Sequence, residues 1–154
     1  MEYFEDIAVG DTARFGAYAV DRVEVIAFAE KFDPQPFHLS DAAAAKTPFK
    51  RLAASGWHTC AMTMAMTVAH GQERQQALLG SPGIDTLRWL KPVYPGDTLR
   101  CETQVIEARR SESRPTMGLV KSAVTVFNQD DVVVMTFIAN MMVQARPGGR
   151  AATA

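Results

Sequence analysis

One segment, residues 56–70, limits what this chain can fold into more than any other part of it. Apolar side chains occur on every side of a helix drawn over this segment, and three threonines form its only mildly polar stripe. A helix that is apolar nearly all round is buried within a protein. Its most apolar part, residues 60–69, falls well short of the ~20 residues that cross a bilayer. The sequence therefore predicts a buried helix that begins at Gly56 and stops at Gly71, a residue type suited to helix ends.

The hydrophobic period changes to two after this helix, which is typical of strands. Apolar and polar residues alternate over 99–105, and every second residue from 133 to 143 is apolar. Turn-forming residues at 95–97 and 128–131 separate these strands from their neighbours. The pattern predicts an α+β fold in which an antiparallel sheet wraps around one buried central helix, and dimerisation is one way to cover the open edges of such a sheet. Two further strands are expected, at residues 12–20 and 84–93.

Helix boundaries earlier in the chain place two polar residues on a loop. Asp21 is a good N-cap residue, and Glu24 follows three residues later, as in a capping box. The helix that begins there has to stop at the prolines that follow, and a proline pushes the residue before it toward an extended conformation. Asp33 and Gln35 each precede a proline, so both are expected on an extended loop. A second, short helix is predicted at residues 41–46.

Length, charge and cysteine content narrow the class of protein. The 154 residues fit one domain, predicted at 1–145, followed by a flexible tail at 146–154. A net charge of −1 gives no overall basic field, so neither nucleic acid nor a membrane is an expected partner. The acidic start does not resemble a secretory signal, and the two cysteines are typical of reduced, buried thiols, which favours the cytoplasm. The three histidines lack the spacing of metal ligands, so no metal is expected.

The loop between the two short predicted helices carries a family motif. Residues 33–38 read Asp-Pro-Gln-Pro-Phe-His, which resembles the Asp-x-Asn-Pro-x-His signature of R-specific enoyl-CoA hydratases and MaoC-like dehydratases. Gln35 stands where that signature has Asn. Residues 52–58 resemble the start of the family's central helix, and residues 90–97 resemble its Pro-Val-x-x-Gly-Asp turn. The resemblance covers most of the chain and implies the hot-dog fold and an acyl-CoA hydratase or dehydratase.

The resemblance assigns the acid–base chemistry to Asp33 and His38, which act together on one water. Histidine suits proton transfer near neutral pH. Adding water to an enoyl thioester also needs donors for the negative charge that develops on the carbonyl oxygen. A helix that begins at Gly56 directs free backbone N–H groups and a positive dipole end outward, so Gly56 is the candidate oxyanion site. Four residues are candidates for substrate binding: Gln35, Ser55, Trp57 and Thr63.

The expected substrate is an acyl-CoA thioester, with coenzyme A as part of the substrate and no separate cofactor. The family also implies a homodimer or a dimer of dimers. The phosphates of coenzyme A need a basic rim, for which six residues are candidates: Arg88, Lys91, Arg109, Arg110, Arg114 and Lys121.

Two other functions remain open at this point. Hot-dog thioesterases usually carry a catalytic carboxylate on or beside the central helix, whereas no Asp or Glu occurs between Arg51 and Gln72. A non-catalytic acyl-CoA-binding module needs a pocket but no acid–base pair. The fold alone does not decide among these functions, so the choice depends on Asp33 and His38.

Overall fold

The computed structural model describes residues 1–147, which form an antiparallel sheet packed around one long helix. Its strands pair in the order β1-β3-β4-β5-β2, so that β1 and β2 form the two edges. Single turns of 3₁₀ helix lie at Phe4–Asp6 and Pro36–His38. The other elements, in chain order, are β1 Thr12–Ala19, α1 Arg22–Phe32, α2 Asp41–Ala44, α3 Gly56–Glu73, β2 Leu78–Trp89, β3 Thr98–Arg110, β4 Met117–Phe127 and β5 Val133–Gln144.

The core lies between α3 and one face of the sheet. Met62 and Met66 of α3 are buried in one cluster with Cys101 of β3 and Met135 of β5. Each such side chain contributes about 1.5–3 kcal/mol through its burial. Gly16 of β1 allows the sheet to lie close to Met66 of α3. Its φ is +84°, a conformation that favours glycine, and it lies at an irregularity in the β1–β3 pairing. A Cβ atom at Gly16 would also lie 2.3 Å from the sulfur of Met66, so no other residue fits there unchanged.

The sheet covers only one side of α3, although the sequence predicts a helix buried all round. Trp57, Met64 and Val68 share the opposite side of the helix and are 58%, 55% and 47% exposed. Edge strand β2 is also open along most of its length, and its Ile84 and Trp89 are exposed. Five strands from one chain do not enclose the helix, so an apolar surface made of α3 and β2 is left uncovered in the single chain.

Several element ends differ from the sequence prediction. Helix α3 continues through Gly71, whose position reflects a close approach: a Cβ atom there would lie 3.2 Å from the Gln76 side chain. Strand β2 ends at Trp89 instead of residue 93. Leu90 turns to donate to the Val134 carbonyl, and Pro92, two residues later, has no N–H with which to extend the strand. Helix α2 ends at Ala44 instead of residue 46.

Helix α1 begins as predicted. Asp21 accepts a hydrogen bond from the Glu24 N–H at 2.9 Å, which confirms it as the N-cap. The reciprocal half of the predicted capping box is not formed. The Glu24 carboxylate instead contacts Tyr18 and His58, on β1 and α3.

The two ends of the described chain are joined. Arg146, which the sequence places in a flexible tail, forms an ion pair with Asp6 at 2.7 Å, and residues 148–154 of that tail lie outside the described part. Cys60 and Cys101 are both free thiols; Cys101 is buried, as predicted, whereas Cys60 is only half-buried. Within residues 1–147 no helix is both long enough and apolar enough to cross a membrane.

Candidate active site

The C-terminal end of α1 brings the two motif residues together. Asp33 follows the last turn of α1, where its N–H still donates to the Ala29 carbonyl at 2.9 Å. The prolines on either side of Gln35 end the helix, and the chain then enters the 3₁₀ turn that carries His38. As a result the His38 Nε2 atom lies 3.5 Å from Oδ2 of Asp33. The local sequence therefore brings together the two residues that the motif assigns to acid–base chemistry.

The orientation of His38 is fixed by its other ring nitrogen. Nδ1 lies 2.8 Å from the Ala53 carbonyl oxygen, and a carbonyl only accepts, so Nδ1 carries the hydrogen. The ring is 5% exposed and packs against the rings of Phe37 and Phe49. In the neutral imidazole, Nε2 therefore presents a lone pair toward Asp33.

Two hydrogen bonds hold the Asp33 carboxylate. The Ser55 hydroxyl donates to Oδ2 and the Gln35 side-chain amide donates to Oδ1, each at 2.7 Å. Burial opposes ionisation of Asp33, but these two bonds and the nearby His38 outweigh it, and the pKa of the carboxyl is lowered. Asp33 is therefore ionised at neutral pH, and Gln35 reaches it from the position where the family signature has Asn.

When His38 is in its neutral form, it and the ionised Asp33 face each other with acceptors only. Two acceptors 3.5 Å apart do not bond each other, but one water molecule can donate a hydrogen to each of them. Such a water has its oxygen lone pairs directed away from both side chains. The arrangement can thus orient a water for addition to a carbon and can exchange protons with it.

The start of α3 supplies the third part of the site. Ser55, the N-cap, accepts from the Trp57 N–H at 3.3 Å while it donates to Asp33. Among residues 1–147, no group accepts a hydrogen bond from the Gly56 N–H, which lies at the positive end of the helix. The Trp89 indole lies over Gly56, its Nε1 donates to the Gly56 carbonyl at 3.0 Å, and a Cβ atom would lie 2.4 Å from its ring. Close packing against Trp89 therefore requires glycine here.

Asp33, His38 and Gly56 line a cleft of about 440 Å³, whereas Ser55 lies behind its wall with no exposed surface. The walls of the cleft are mainly aromatic and aliphatic, which suits an acyl chain. Within residues 1–147, Lys91 is the one lysine or arginine that lines it. The lining residues are Asp33, Gln35, Phe37, His38, Phe49, Ala54, Gly56, Trp57, Thr59, Trp89, Leu90, Lys91, Pro92 and Val93.

Most of the residues singled out from the sequence meet at this cleft, but not all. Thr63 is buried away from it, and its hydroxyl donates to the Thr59 carbonyl at 2.8 Å. Thr59, one turn nearer the helix start, lines the cleft instead. Of the six candidate cations, only Lys91 lines the cleft, and others pair with carboxylates, as Arg110 does with Glu5.

The sequence alone did not identify every residue at the site. Phe49 and Trp89 carry no motif and reach the cleft only through the fold. The Ala53 carbonyl that orients His38 is a backbone group, which no residue type signals. The bond from Ser55 to Asp33 spans 22 residues, although a serine before a helix start is a recognisable N-cap signal. Within the described part of the chain, no three His, Cys, Asp or Glu side chains cluster as metal ligands do.

Comparison with known proteins identifies relatives in sequence and in structure. The family described as "MaoC like domain" matches residues 6–127. A 3-hydroxybutyryl-CoA dehydratase of Methylorubrum extorquens is 33% identical over 110 residues, which are 68% of this chain and 64% of that protein. The crystal structure of a MaoC-like dehydratase from Rhodospirillum rubrum aligns at 39% identity with a TM-score of 0.87, over 96% of this chain and 99% of that chain. The R-hydratase PhaJ1 of Pseudomonas aeruginosa aligns at 25% identity with a TM-score of 0.66, over 99% and 94% of the two chains.

The chain therefore belongs to the MaoC-like domain family. Its five-stranded antiparallel sheet around one long helix confirms the hot-dog fold that the motifs imply. The chain spans 64% of the length of the curated dehydratase, so the activity of that longer protein enters only as a proposal.

Proposed function

We propose that this protein adds water to 2-enoyl thioesters and, in reverse, removes water from 3-hydroxyacyl thioesters, with an acyl-CoA as substrate. The observation that carries the proposal is the pair of acceptors, Asp33 and His38 Nε2, 3.5 Å apart at the wall of an apolar cleft. A water bound to both is held for attack on C3 of the enoyl group. Membership of a family with hydratase and dehydratase members supports this reading.

The proton balance of hydration fits two groups around one water. The oxygen of the water bonds C3 while one of its O–H bonds breaks, and that proton passes to Asp33 or to Nε2 of His38. The same proton then passes from the pair to C2, where the electrons of the former C2–C3 π bond form the new C–H bond. The pair takes up one proton and gives one back, so Asp33 and His38 end the cycle in their starting states. Dehydration follows the same steps in the opposite direction.

The start of α3 stabilises the charge that builds on the thioester carbonyl. In the proposed reaction, C2 gains electron density as C3 is attacked, and the carbonyl oxygen becomes an oxyanion. The free N–H of Gly56 and the positive helix end are suited to that charge. Lys91, at the same cleft, suits an anionic group of coenzyme A. The mechanism needs no cofactor beyond the coenzyme A of the substrate.

The proposal is tested by following the loss of conjugated-enoyl absorbance with crotonyl-CoA and with longer and branched analogues. Asp33→Asn and His38→Gln are each expected to lower kcat at least about 100-fold, because each removes an acid–base group. Asp131→Asn, on the surface, and His70→Gln, at the far end of α3, are the matched controls and retain activity. Turnover that survives both active-site substitutions contradicts the proposal.

Two other outcomes identify the competing functions. Release of free coenzyme A without hydration makes the protein a thioesterase. Binding of acyl-CoA with neither reaction makes it a binding module. A thiol reagent for free coenzyme A and equilibrium binding to an unreactive saturated acyl-CoA are measured on the same preparation, so that the three functions are separated directly.

We also propose that two copies of the chain associate through the uncovered surface of α3 and β2. This surface is apolar, and it includes an edge strand with free backbone groups. Size-exclusion chromatography with light scattering is expected to give the mass of a dimer or of a dimer of dimers. Met64→Lys, on the surface, is expected to lower that mass, whereas Val23→Lys, on exposed α1, is not. A monomeric wild-type protein refutes the association.

A further inference from the structure

A second histidine, His58, is buried at the start of α3 and does not line the cleft. It is 3% exposed, and its Nε2 lies 3.0 Å from Oε1 of Glu24. Its ring also stacks on Phe28, with the ring centroids 4.6 Å apart and the planes within 10° of parallel. Glu24 and Phe28 both belong to α1. His58 therefore joins the first turn of α3 to α1 through a hydrogen bond and a ring stack.

The same oxygen of Glu24 also binds β1. The Tyr18 hydroxyl donates to Oε1 of Glu24 at 2.5 Å. This bond, against the effect of burial and with a further contribution from His58, lowers the pKa of Glu24. An ionised carboxylate only accepts, so the hydrogen of the contact with His58 lies on Nε2. One charged oxygen thus links β1, α1 and α3.

The other ring nitrogen of His58 is left without a partner. Nδ1 is buried, and no group among residues 1–147 bonds it. A buried polar atom without a partner costs stability. The ring is therefore not placed to satisfy both of its nitrogens. It is placed where one nitrogen and the ring face hold α1.

Helix α1 meets α3 a second time, at the candidate active site. Asp33 ends α1, and its Oδ2 accepts a hydrogen bond from Ser55, the N-cap of α3. Helix α1 forms a rod that runs from the contact at Glu24, in its first turn, to the contact at Asp33, its C-cap. If the Glu24 end of this rod moves against α3, the rod tilts and Asp33 moves with it. The contact at His58 therefore bears on the geometry of the acid–base pair.

We propose that His58 is a positioning residue: by holding α1 against the first turn of α3, it sets the separation of Asp33 from Ser55 and His38. The kinetic consequence rests on the proposed function. The geometric consequence depends on no substrate, so the two can fail separately.

The experiment compares four substitutions. His58→Phe keeps the ring that stacks on Phe28 but removes the bond to Glu24, and Glu24→Ala removes the same bond from the exposed side of the contact. Glu24→Gln is the conservative variant, since its amide oxygen can still accept from both partners. His70→Phe is the matched control. His70 also lies on α3 with its ring stacked on a phenylalanine, Phe15, with the centroids 4.2 Å apart, but it does not contact α1.

The kinetic arm measures kcat and KM for hydration of crotonyl-CoA. His58→Phe and Glu24→Ala are each expected to lower kcat about tenfold with KM changed less than about twofold, because the cleft is kept while the reacting groups lose their alignment. Glu24→Gln is expected to stay within about threefold of wild type, and His70→Phe within about twofold. A residue that only stabilises the fold does not produce this split between kcat and KM.

The second arm observes His38 directly and needs no turnover. The chain has three histidines, so their imidazole signals can be assigned by substitution and compared by NMR between variants. The imidazole chemical shifts of His38 are expected to change in His58→Phe and in Glu24→Ala, because the position of the ring relative to the Asp33 carboxylate changes. His70→Phe leaves them unmoved.

The outcomes separate the two ideas. If wild type hydrates no enoyl thioester, the proposed function fails and the chemical shifts of His38 decide the role of His58 alone. If His58→Phe does not fold, Glu24→Ala gives the same comparison. His38 chemical shifts that are unchanged in the folded variants, or a kcat within twofold of wild type in an active enzyme, overturn the positioning role.

Discussion

The Ser55 hydroxyl has two roles: it caps α3, and it stabilises the ionised form of Asp33, the candidate catalytic carboxylate. The substitution Ser55→Ala removes both bonds. The hydroxyl caps α3 through the Trp57 N–H and donates to Asp33 at 2.7 Å, at a position with no exposed surface. Loss of an N-cap costs about 1 kcal/mol, and loss of a hydrogen bond to a charged group costs about 1.5–3 kcal/mol. We therefore expect Ser55→Ala to lower the free energy of unfolding by about 3 kcal/mol.

The chain offers a matched control for the capping part of this effect. Ser40 caps α2 by accepting from the Ala43 N–H at 3.2 Å, and it makes no bond to a carboxylate. Ser40→Ala is expected to cost only about 1 kcal/mol. Urea denaturation at one protein concentration measures both variants, and fluorescence reports on the start of α3 because Trp57 and Trp89 lie beside it. Equal losses in the two variants contradict the reasoning.

The pH dependence of the same difference tests the link to Asp33. The folded-state pKa of Asp33 lies below its ordinary value of 3.8, so its contribution to stability is present above that value and is lost as pH falls through the folded value. Without the bond from Ser55 the folded pKa rises toward the ordinary value, and this contribution shrinks. The gap between wild type and Ser55→Ala is therefore expected to be widest near neutral pH and to narrow below about pH 4. A gap of constant size across this range would falsify the proposed coupling.

Two further predictions follow from close contacts. Gly56→Ala is expected to displace the Trp89 indole, change its fluorescence and lower the melting temperature, because the new Cβ atom would lie 2.4 Å from that ring. Gly71→Ala in the same helix is the control. Its nearest contact would be 3.2 Å, so it is expected to be tolerated. The Tyr18 phenol is expected to ionise with a pKa of about 12, since Glu24 accepts its hydrogen, burial disfavours its anion and the carboxylate repels it. This raised pKa means that the stabilising contribution is complete below about pH 10 and is lost as pH rises through about 12. The phenolate absorbance of wild type against Tyr18→Phe measures that step, and nearly complete ionisation of all three tyrosines by about pH 11 contradicts it.

The part of the site that was predictable from the sequence is the part built by neighbours in the chain. Asp33 and His38 lie five residues apart on a loop whose shape is restricted by two prolines, so local rules bring them together. The start of α3 was likewise predictable, because an apolar segment begins at Gly56. These features depend on a few consecutive residues, and the fold has little freedom to change them.

Contacts between distant segments were not predictable in the same way. The exposed side of α3 is one example. A helix that is apolar all round is fully covered only if enough strands surround it. The number of strands that contact the helix is a property of the whole chain, and the helix sequence does not reveal it. The capping box is another. Glu24 has the right spacing for it, but Tyr18 and His58 offer its carboxylate partners from two other elements, and those bonds replace the local one.

Two of the three threonines of α3 show where periodicity stops being informative. Thr59 and Thr63 are four residues apart, so they face the same side of the helix, and the sequence pattern does not distinguish them. They differ in depth: Thr59 lies about 4.5 Å and Thr63 about 10.5 Å along the axis from Gly56, at about 1.5 Å per residue. The cleft reaches Thr59 but not Thr63, whose hydroxyl donates a hydrogen bond to the Thr59 carbonyl of the helix backbone. Spacing in the sequence predicts which face of the helix a residue lies on. The depth at which the cleft ends depends on the side chains that close it, and these come from other segments of the chain.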